Sequence, residues 1–209
     1  MWDQPNQGRV NLRAVHDGIL IIDVSQLNRV NSLDDIAMAT AHNNRVVKKG
    51  QIVAGTRVIP LAVRRDILET AEEICDQSGS MITVKTFQPL WMGVVTTGSE
   101  VYSGRIQDGF CSVIKQKASP FGAKMLGQMI VPDDPYLISH EIRQFIAQGA
   151  ELVMVTGGMS VDPDDVTPVG IRATGADVVS YGAPVLPGSM FMLAYLGHVP
   201  VCGLPGCGG

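Results

Sequence analysis

A glycine-rich loop follows a short apolar run in the last third of the chain. The segment Thr156-Gly157-Gly158-Met159-Ser160 comes directly after Leu152–Val155, which has the length and composition of a buried strand. Two consecutive glycines leave backbone N–H groups unshielded, and such groups can form a nest that binds an anion. Because a Gly-Gly pair is also an ordinary turn signal, the residues that follow it decide between the two interpretations.

Carboxylates and a helix start follow this loop. Asp162, Asp164 and Asp165 fall within four positions, and Thr167-Pro168 then begins a predicted helix. Mg²⁺ is typically held by one or two carboxylates together with substrate phosphates, which fits this arrangement. Asp162 and Asp164 are explained equally well as surface turn formers. Asp165 comes just before the helix start, so we expect it to point back at the glycine loop.

Two more predicted strands end in loops of small and polar residues. Gly98-Ser99-Glu100 follows Met92–Thr97, and a glycine, a hydroxyl and a helix start suit a bound phosphate. A simple turn at Gly98 explains this loop equally well. Gly203-Leu204-Pro205-Gly206 follows Val199–Cys202 and is expected to close the rim of the same pocket.

The elements that must position these loops alternate regularly from Trp91 onward. Strands are predicted at Met92–Thr97, Met125–Val131, Leu152–Val155, Asp177–Ser180 and Val199–Cys202. Helices are predicted over Ile106–Ile114, from Asp134-Pro135 to Gly149, over Thr167–Gly175, and over Met190–Leu196 behind a Ser189 cap. This order predicts a three-layer α/β/α fold with a mostly parallel sheet. In such sheets ligands bind outside the carboxyl ends of the strands.

The first part of the chain has a different, mixed pattern. Strands are predicted at Arg9–Val15, Ile19–Val24, Val46-Val47, Ile52–Leu61 and Met81–Phe87, and helices over Ser32–Thr40 and Arg64–Cys75. Asp17-Gly18 is a strong two-residue hairpin signal between the first two strands. Proline at Gln88-Pro89 marks the best boundary. We therefore predict a small α+β domain of unknown role at residues 1–89 and an α/β domain at residues 90–209.

Composition narrows the class of partner. The net charge is −4 and the pI is near 5.5, which gives no general attraction to nucleic acid or to anionic membranes. No apolar run reaches the length of a membrane span, and the N-terminal residues lack the basic and apolar regions of a signal peptide. The four cysteines show no CxxC spacing, which favours a reducing compartment. We expect a cytoplasmic protein whose partner is a small molecule.

Six motifs in order along the chain resemble the molybdopterin-binding domain of molybdenum cofactor biosynthesis proteins. That family includes molybdopterin adenylyltransferases (MogA-like), molybdenum insertases (MoeA-like and gephyrin) and a related domain of competence-damage-type (CinA-like) proteins. The motifs are Thr97-Gly98-Ser99-Glu100 with Gly104–Asp108, Val131-Pro132-Asp133-Asp134, Thr156–Ser160, Asp165-Val166-Thr167-Pro168, Pro187-Gly188 and Gly203–Gly206. They run from about Trp91 to the end of the chain, each at a predicted strand end or helix start.

The resemblance implies roles for particular residues. Asp133 and Asp165 match the family's catalytic acidic groups and would hold Mg²⁺, which would bridge the phosphates of a nucleotide such as ATP. The residues of the molybdopterin cradle would be Thr97, Gly98, Ser99, Glu100, Thr156, Gly157, Gly158, Met159, Ser160, Thr167, Pro187, Gly188, Gly203, Pro205 and Gly206. The family resemblance also implies a homo-oligomer, either a dimer or a trimer.

Three activities stay open at the level of sequence. The first is a transferase role, either adenylylating molybdopterin or handling its adenylylated form during metal insertion. The second is a CinA-like nucleotide pyrophosphatase activity, and the third is a non-catalytic carrier or sensor of the molybdenum cofactor. The presence of Asp133 and Asp165 favours an enzyme. Val169 stands where an acidic residue commonly follows Thr-Pro in the family, and this favours the carrier.

Other positions also depart from the family pattern. Phe110 stands where asparagine is usual, and Ser189 replaces a frequent lysine. The family continues with Asn-Pro and a helix after Gly-Leu-Pro-Gly, whereas this chain reads Cys207-Gly208-Gly209. We therefore expect an α/β domain that is truncated at its C-terminal end.

Overall fold

The computed structural model describes residues 1–77, 79–160, 162 and 165–206, so Asp164 and Cys207–Gly209 lie outside the described residues. The chain divides into two compact units, Met1–Phe87 and Gln88–Gly209. The division falls next to Pro89, where the chain changes from one pattern of elements to the other. No helix among the described residues is long and apolar enough to cross a membrane.

The first unit consists of two small antiparallel sheets and two helices. Its elements are β1 (Arg9–Arg13), β2 (Gly18–Ile22), α1 (Val24–Asn31), β3 (Ile36–Thr40), β4 (Val46–Val47), β5 (Ile52–Val58), α2 (Arg65–Asp76) and β6 (Ile82–Lys85). One sheet has the order β1-β5-β3 and the other the order β4-β2-β6. Their buried faces pack on apolar side chains of the strands and helices, including Leu20, Val30 and Val53.

The predicted hairpin at Asp17-Gly18 is wrong. Strand β1 pairs with β5, and β2 pairs with β4 and β6, so the turn joins two sheets. Gly18 is required for a different reason, since a Cβ atom there would lie 2.2 Å from the carbonyl oxygen of Lys85 on the neighbouring strand. The Asp17 carboxylate accepts hydrogen bonds from Lys48 Nζ and the Lys49 amide, which ties this turn to another loop.

The predicted helix over Ser32–Thr40 is also wrong. The helix α1 begins earlier, where the Asp23 side chain accepts a hydrogen bond from the Gln26 amide, and Ser32 is its C-terminal cap. Residues Ile36–Thr40 form strand β3, in which Ile36 is buried and alternate residues are exposed. The Ser32 hydroxyl donates to the carbonyl of Arg29 in the last turn of the helix. Serine is typical of the first position of a helix, but here it stands at the end of one.

The second unit contains a six-stranded mixed sheet with helices on both faces. Its strands are β7 (Leu90–Thr97), β8 (Ala123–Val131), β9 (Leu152–Thr156), β10 (Asp177–Tyr181), β11 (Met192–Leu196) and β12 (Val199–Leu204). Its helices are α3 (Ser99–Tyr102), α4 (Phe110–Ala118), α5 (Pro135–Ala147) and α6 (Thr167–Ala173), with a 3-10 turn at Ser119–Phe121. In the order β10-β11-β12-β9-β7-β8, the strands β12, β9, β7 and β8 are parallel.

One predicted helix of this unit is a strand. The sequence predicts a helix over Met190–Leu196, but Met192–Leu196 forms β11, which is antiparallel to both β10 and β12. Met192 and Ala194 are buried and Tyr195 is exposed, which is the period of a strand. Ile106 likewise lies outside α4, which begins at Phe110.

The two faces of the sheet have separate cores, which gives the three layers expected from the sequence. Helices α5 and α6 cover one face, where Val95, Val155 and Ile142 belong to the largest buried cluster. Helix α4 covers the other, packing Ile114 on Met92 and Val94. The α/β class with a mostly parallel sheet, preceded by a smaller sheet region, is confirmed.

Candidate functional site

The loops singled out in the sequence leave the sheet at one edge. Strands β7, β8, β9 and β12 are parallel, so their carboxyl ends lie on the same side. The loops that follow them begin at Gly98, Pro132, Gly157 and Pro205. Ligand-binding loops of doubly wound sheets are found in this position.

The Gly157-Gly158 loop is held against the end of the neighbouring strand β7. Both glycines have a positive φ, 88° at Gly157 and 51° at Gly158. A Cβ atom at Gly157 would lie 2.2 Å from the carbonyl oxygen of Thr97, and one at Gly158 would lie 2.9 Å from Oγ1 of Thr167. Only glycine fits this backbone, and its conformation suits an anion-binding nest.

Two buried threonines fix the loop. The hydroxyl of Thr167 donates to the carbonyl oxygen of Gly157 at 2.8 Å, and it lies 3.0 Å from the hydroxyl of Thr97. Since a hydroxyl has one proton, Thr97 must donate to Thr167 while Thr167 donates to Gly157. Both threonines are buried, so this chain of hydrogen bonds preorganises the glycine loop before any ligand arrives.

We expect Thr167→Val to destabilise the protein by about 1–3 kcal/mol, because it leaves the half-buried carbonyl of Gly157 and the buried Thr97 hydroxyl without their hydrogen bonds to Thr167. Urea unfolding measures this loss. Thr174→Val is a matched control, since the buried Thr174 hydroxyl also donates to a carbonyl, that of Ile171 at 2.6 Å, but away from the loop. Both variants should be less stable than the unsubstituted protein. Only Thr167→Val should bind an anion at the Gly157-Gly158 loop more weakly. Equal binding by both variants would contradict a positioning role for Thr167.

Asp133 supports the adjacent loop after β7. One of its carboxylate oxygens, Oδ2, accepts from the amide of Ser99 at 2.8 Å and from its hydroxyl at 3.0 Å. The carboxylate thereby fixes the Gly98-Ser99 turn, in which Gly98 has a φ of 139°. Within the described part of the chain, its other oxygen has no protein partner. Glu100 follows on α3 and is exposed.

Asp165 is hydrogen-bonded to the glycine-rich segment. Its Oδ2 accepts from the amide of Ser160, and its own amide donates to the carbonyl of Asp162 at 3.1 Å. Asp165 therefore ties the far end of the loop to the start of α6. Val169 lies in the first turn of that helix and is 54% exposed. Its side chain is apolar, so this position contributes no carboxylate to the loop.

The remaining residues of the expected cradle are placed differently. Met159 is 1% exposed, and a Cβ atom at Gly203 would lie 2.6 Å from its terminal methyl carbon. The Met159 side chain is thus part of the core. Gly188 and Pro205 line a groove of about 500 Å³ on the α4 face, with mostly apolar neighbours such as Phe110 and Leu204. The other members of this group are Pro187, whose peptide bond is cis, and Gly206, beside the Phe110 ring.

Sequence reasoning missed a polar chain that crosses the same edge of the sheet. The Nε2 group of Gln128 donates to Thr96 Oγ1 at 2.9 Å and to Asp108 Oδ2 at 2.6 Å. The Asp108 carboxylate also accepts from the amides of Phe110 and Cys111, and so caps α4. The available signal was a glutamine inside the predicted strand Met125–Val131, whose other residues are apolar, because a half-buried amide there needs partners.

The carboxylates do not form a metal cage by themselves. Among the described residues, no group of three His, Cys, Asp or Glu side chains could hold a metal ion. Asp133 and Asp165 each accept a backbone amide hydrogen bond with one carboxylate oxygen, and the described residues give the other oxygen no partner. Mg²⁺ generally keeps several water molecules and takes further ligands from phosphates, so a site for it would need only one or two protein carboxylates.

Comparison with known proteins identifies the family. Residues 93–209 match the family model described as "Probable molybdopterin binding domain". This match spans more than half of the chain and contains every loop of the candidate site. The chain belongs to this family.

Two curated relatives illustrate the range of proteins that carry this domain. A CinA-like protein of Mycobacterium avium is 33% identical over 75 residues, which cover 36% of this chain and 17% of the relative. A molybdopterin molybdenumtransferase of Synechococcus elongatus is 25% identical over 118 residues, which cover 51% of this chain and 29% of the relative. The chain therefore spans only a minor part of the length of these relatives.

A solved structure supports the fold. The protein CinA of Thermoplasma acidophilum matches with a TM-score of 0.51 and 18% identity, over 56% of this chain and 89% of that chain. At this identity the likeness concerns the α/β fold of the second unit.

Proposed function

We propose that the second unit binds molybdopterin, or its adenylylated form, in molybdenum cofactor biosynthesis. The observation that carries this proposal is the Gly157-Gly158 loop, whose positive-φ backbone is held by Thr97 and Thr167 at the carboxyl edge of the sheet. The consecutive N–H groups of such a glycine turn suit the terminal phosphate of the ligand. Membership of the molybdopterin-binding family selects molybdopterin among phosphate-bearing ligands.

Phosphoryl chemistry at such a site needs positioning and neutralisation of charge. Asp133 and Asp165 would hold Mg²⁺ through their remaining oxygens, and the ion would supply positive charge to the phosphates of ATP. The glycine loop would orient the molybdopterin phosphate, one of whose oxygens would attack the α-phosphate of ATP and release pyrophosphate. Insertion of metal into the adenylylated form is the second reaction that the same cradle would support.

We expect Asp165→Asn to lower Mg²⁺-dependent turnover at least about 100-fold, because a neutral side chain would hold Mg²⁺ less tightly and the positive charge that neutralises the reacting phosphates would be lost. The asparagine oxygen can still accept from the Ser160 amide, so molybdopterin affinity should change only slightly. Product formation from ATP and direct titration measure the two effects separately. Asp177→Asn, an exposed residue of β10, is the control and should behave as the unsubstituted protein. Equal losses of affinity and turnover would contradict the assignment.

A carrier of the finished cofactor is the second candidate, and Val169 favours it. The exposed valine occupies the first turn of α6, beside the loop that Asp165 closes. A carrier needs the cradle but no additional acidic group. Binding of molybdopterin without formation of an adenylylated product from ATP would support this reading and exclude adenylyl transfer.

A thermal-shift series tests the proposal with molybdopterin, ATP with Mg²⁺, and ADP-ribose as separate ligands. At a free concentration of about 100 times Kd, molybdopterin should stabilise the folded protein by about 2.7 kcal/mol. A shift with ADP-ribose and none with molybdopterin would overturn the proposal in favour of a nucleotide pyrophosphatase.

A further inference from the structure

The exposed face of the β1-β5-β3 sheet carries two arginines side by side. Arg9 of β1 lies directly opposite Arg57 of β5, and Arg57 has Ala37 of β3 on its other side. In the next row of the same face, Asn11 lies opposite Gly55. Both arginines are exposed. Like charges directly opposite in a sheet are destabilising, so this pair is costly for the fold unless an anion joins it.

No carboxylate of the described residues forms a salt bridge with either arginine. The salt bridges of the first unit involve other cations, namely Arg13 with Asp3, Lys48 with Asp17, Arg64 with Asp66 and Arg65 with Glu69. Asp3 is the acid nearest to the pair in sequence, and both of its oxygens are bound by Arg13, at 2.7 and 3.0 Å. The hydrogen bond from Arg13, followed by that from Asn11, lowers the pKa of Asp3.

A hydrogen bond to Asn11 orients the guanidinium group of Arg9. Its Nε donates to Asn11 Oδ1 at 3.0 Å, and the Asn11 amide group donates to Asp3 at 3.3 Å. Gly55 leaves room for this arrangement, since a Cβ atom there would lie 3.2 Å from Asn11 Oδ1 and 3.7 Å from the Arg9 Nη2 atom. Within the described part of the chain, no hydrogen bond occupies the two terminal amino groups of Arg9, and a planar guanidinium fork suits bidentate binding of an oxyanion.

We propose that Arg9 and Arg57 bind the phosphate group of a small organic phosphate. The two side chains line both of two adjoining clefts of about 410 and 490 Å³. The lining of the first cleft is mostly apolar and includes a floor of Ala37, Ala39 and Gly55. The second cleft is polar. The phosphate lies between the arginines, and a planar ring attached to it lies on the alanine floor. This site is in the first unit and does not depend on the function proposed for the second.

The test uses AMP and adenosine as probes of the full chain, with backbone amide resonances as the readout. AMP should shift the Ala39 and Gly55 resonances saturably, and adenosine should not. Arg9→Gln and Arg57→Gln should each weaken AMP binding at these resonances about tenfold or more, because each removes charge-assisted hydrogen bonds. Arg45→Gln is the matched control, an exposed arginine of the same unit outside this face, and should bind as the unsubstituted chain does.

Neither arginine substitution should lower Tm, since each relieves repulsion between like charges. The proposal is overturned if AMP shifts only the resonances of Gly157 and Gly158, or if adenosine shifts those of Ala39 and Gly55 equally. It is also overturned if both arginine variants bind AMP as tightly as the control. A lower Tm in both variants would overturn it too, because it would show that the two arginines stabilise the fold.

Discussion

Replacing Gly157 with alanine is expected to lower the free energy of unfolding by about 3 kcal/mol and to abolish binding of molybdopterin. The added Cβ atom would lie 2.2 Å from the carbonyl oxygen and 2.7 Å from the hydroxyl oxygen of Thr97. The φ of 88° is also unfavourable for any residue with a side chain. Strain and steric overlap each contribute about 1–3 kcal/mol. Relieving the overlap would displace the loop, and with it the N–H groups that we propose bind the phosphate.

Chemical unfolding and ligand titration of the same preparation measure both effects. Gly175→Ala separates the two causes, because Gly175 has a φ of 78° and would place its Cβ atom in open space. That variant should lose only the backbone term of about 1–2 kcal/mol and should bind molybdopterin normally. If Gly157→Ala were no less stable than Gly175→Ala, the close approach of the loop to Thr97 would be wrong.

Replacing Gly18 with alanine should destabilise the first unit by about 3 kcal/mol. The Cβ atom would lie 2.2 Å from the carbonyl oxygen of Lys85 and 2.9 Å from a side-chain carbon of Val84. Because the obstacle is backbone of the neighbouring strand, β2 and β6 must separate locally, at a cost typical of overpacking or somewhat above it. Loss of amide protection from hydrogen exchange along β6 measures this separation.

Gly50→Ala serves as the comparison for Gly18→Ala. Gly50 lies in the same unit and has a φ of 82°, and a Cβ atom added there would meet no neighbouring part of the described chain within 4 Å. It should lose about 1–2 kcal/mol of stability and leave the exchange of β6 unchanged. Wild-type protection of β6 in Gly18→Ala would show that Gly18 serves the turn rather than the contact between strands.

The sequence predicted the second unit better than the first because its long segments carry consistent periods. The helix after Asp134-Pro135 has a side-chain cap, a proline in its first turn and an apolar stripe, and it forms as expected. The segment Met192–Leu196 is too short for its apolar pattern to distinguish the period of a helix from that of a strand. Its pairing with β10 and β12 decides its conformation. Antiparallel strands at one side of the sheet thus replaced an expected crossover helix.

The errors in the first unit arise from pairing between distant residues. Strand β1 pairs with β5, some 40 residues later, although Asp17-Gly18 locally favours a hairpin. Gly18 is needed because the carbonyl oxygen of Lys85 lies too close for a Cβ atom. In the sequence, this contact is visible only as the presence of a glycine. A local rule assigns such a glycine to a turn, because turns are its commonest use.

The part of the candidate site that could be predicted is the position of its loops at the ends of the strands. Glycines, hydroxyls and carboxylates directly after apolar runs identify loops at the carboxyl edge, since parallel strands end on one side. The hydrogen bond between Thr97 and Thr167 joins residues separated by 70 positions, and no local pattern indicates it. The same holds for Gln128, whose partners come from two other segments.

Binding of molybdopterin at the glycine loop is tested most directly by following backbone amide resonances of the full chain during titration with molybdopterin. The resonances of Gly157 and Gly158 should shift saturably, and those of Gly149 and Gly175, which end helices away from this edge, should not. Saturation without any shift at Gly157 and Gly158, or the absence of saturable binding, would contradict the proposed site.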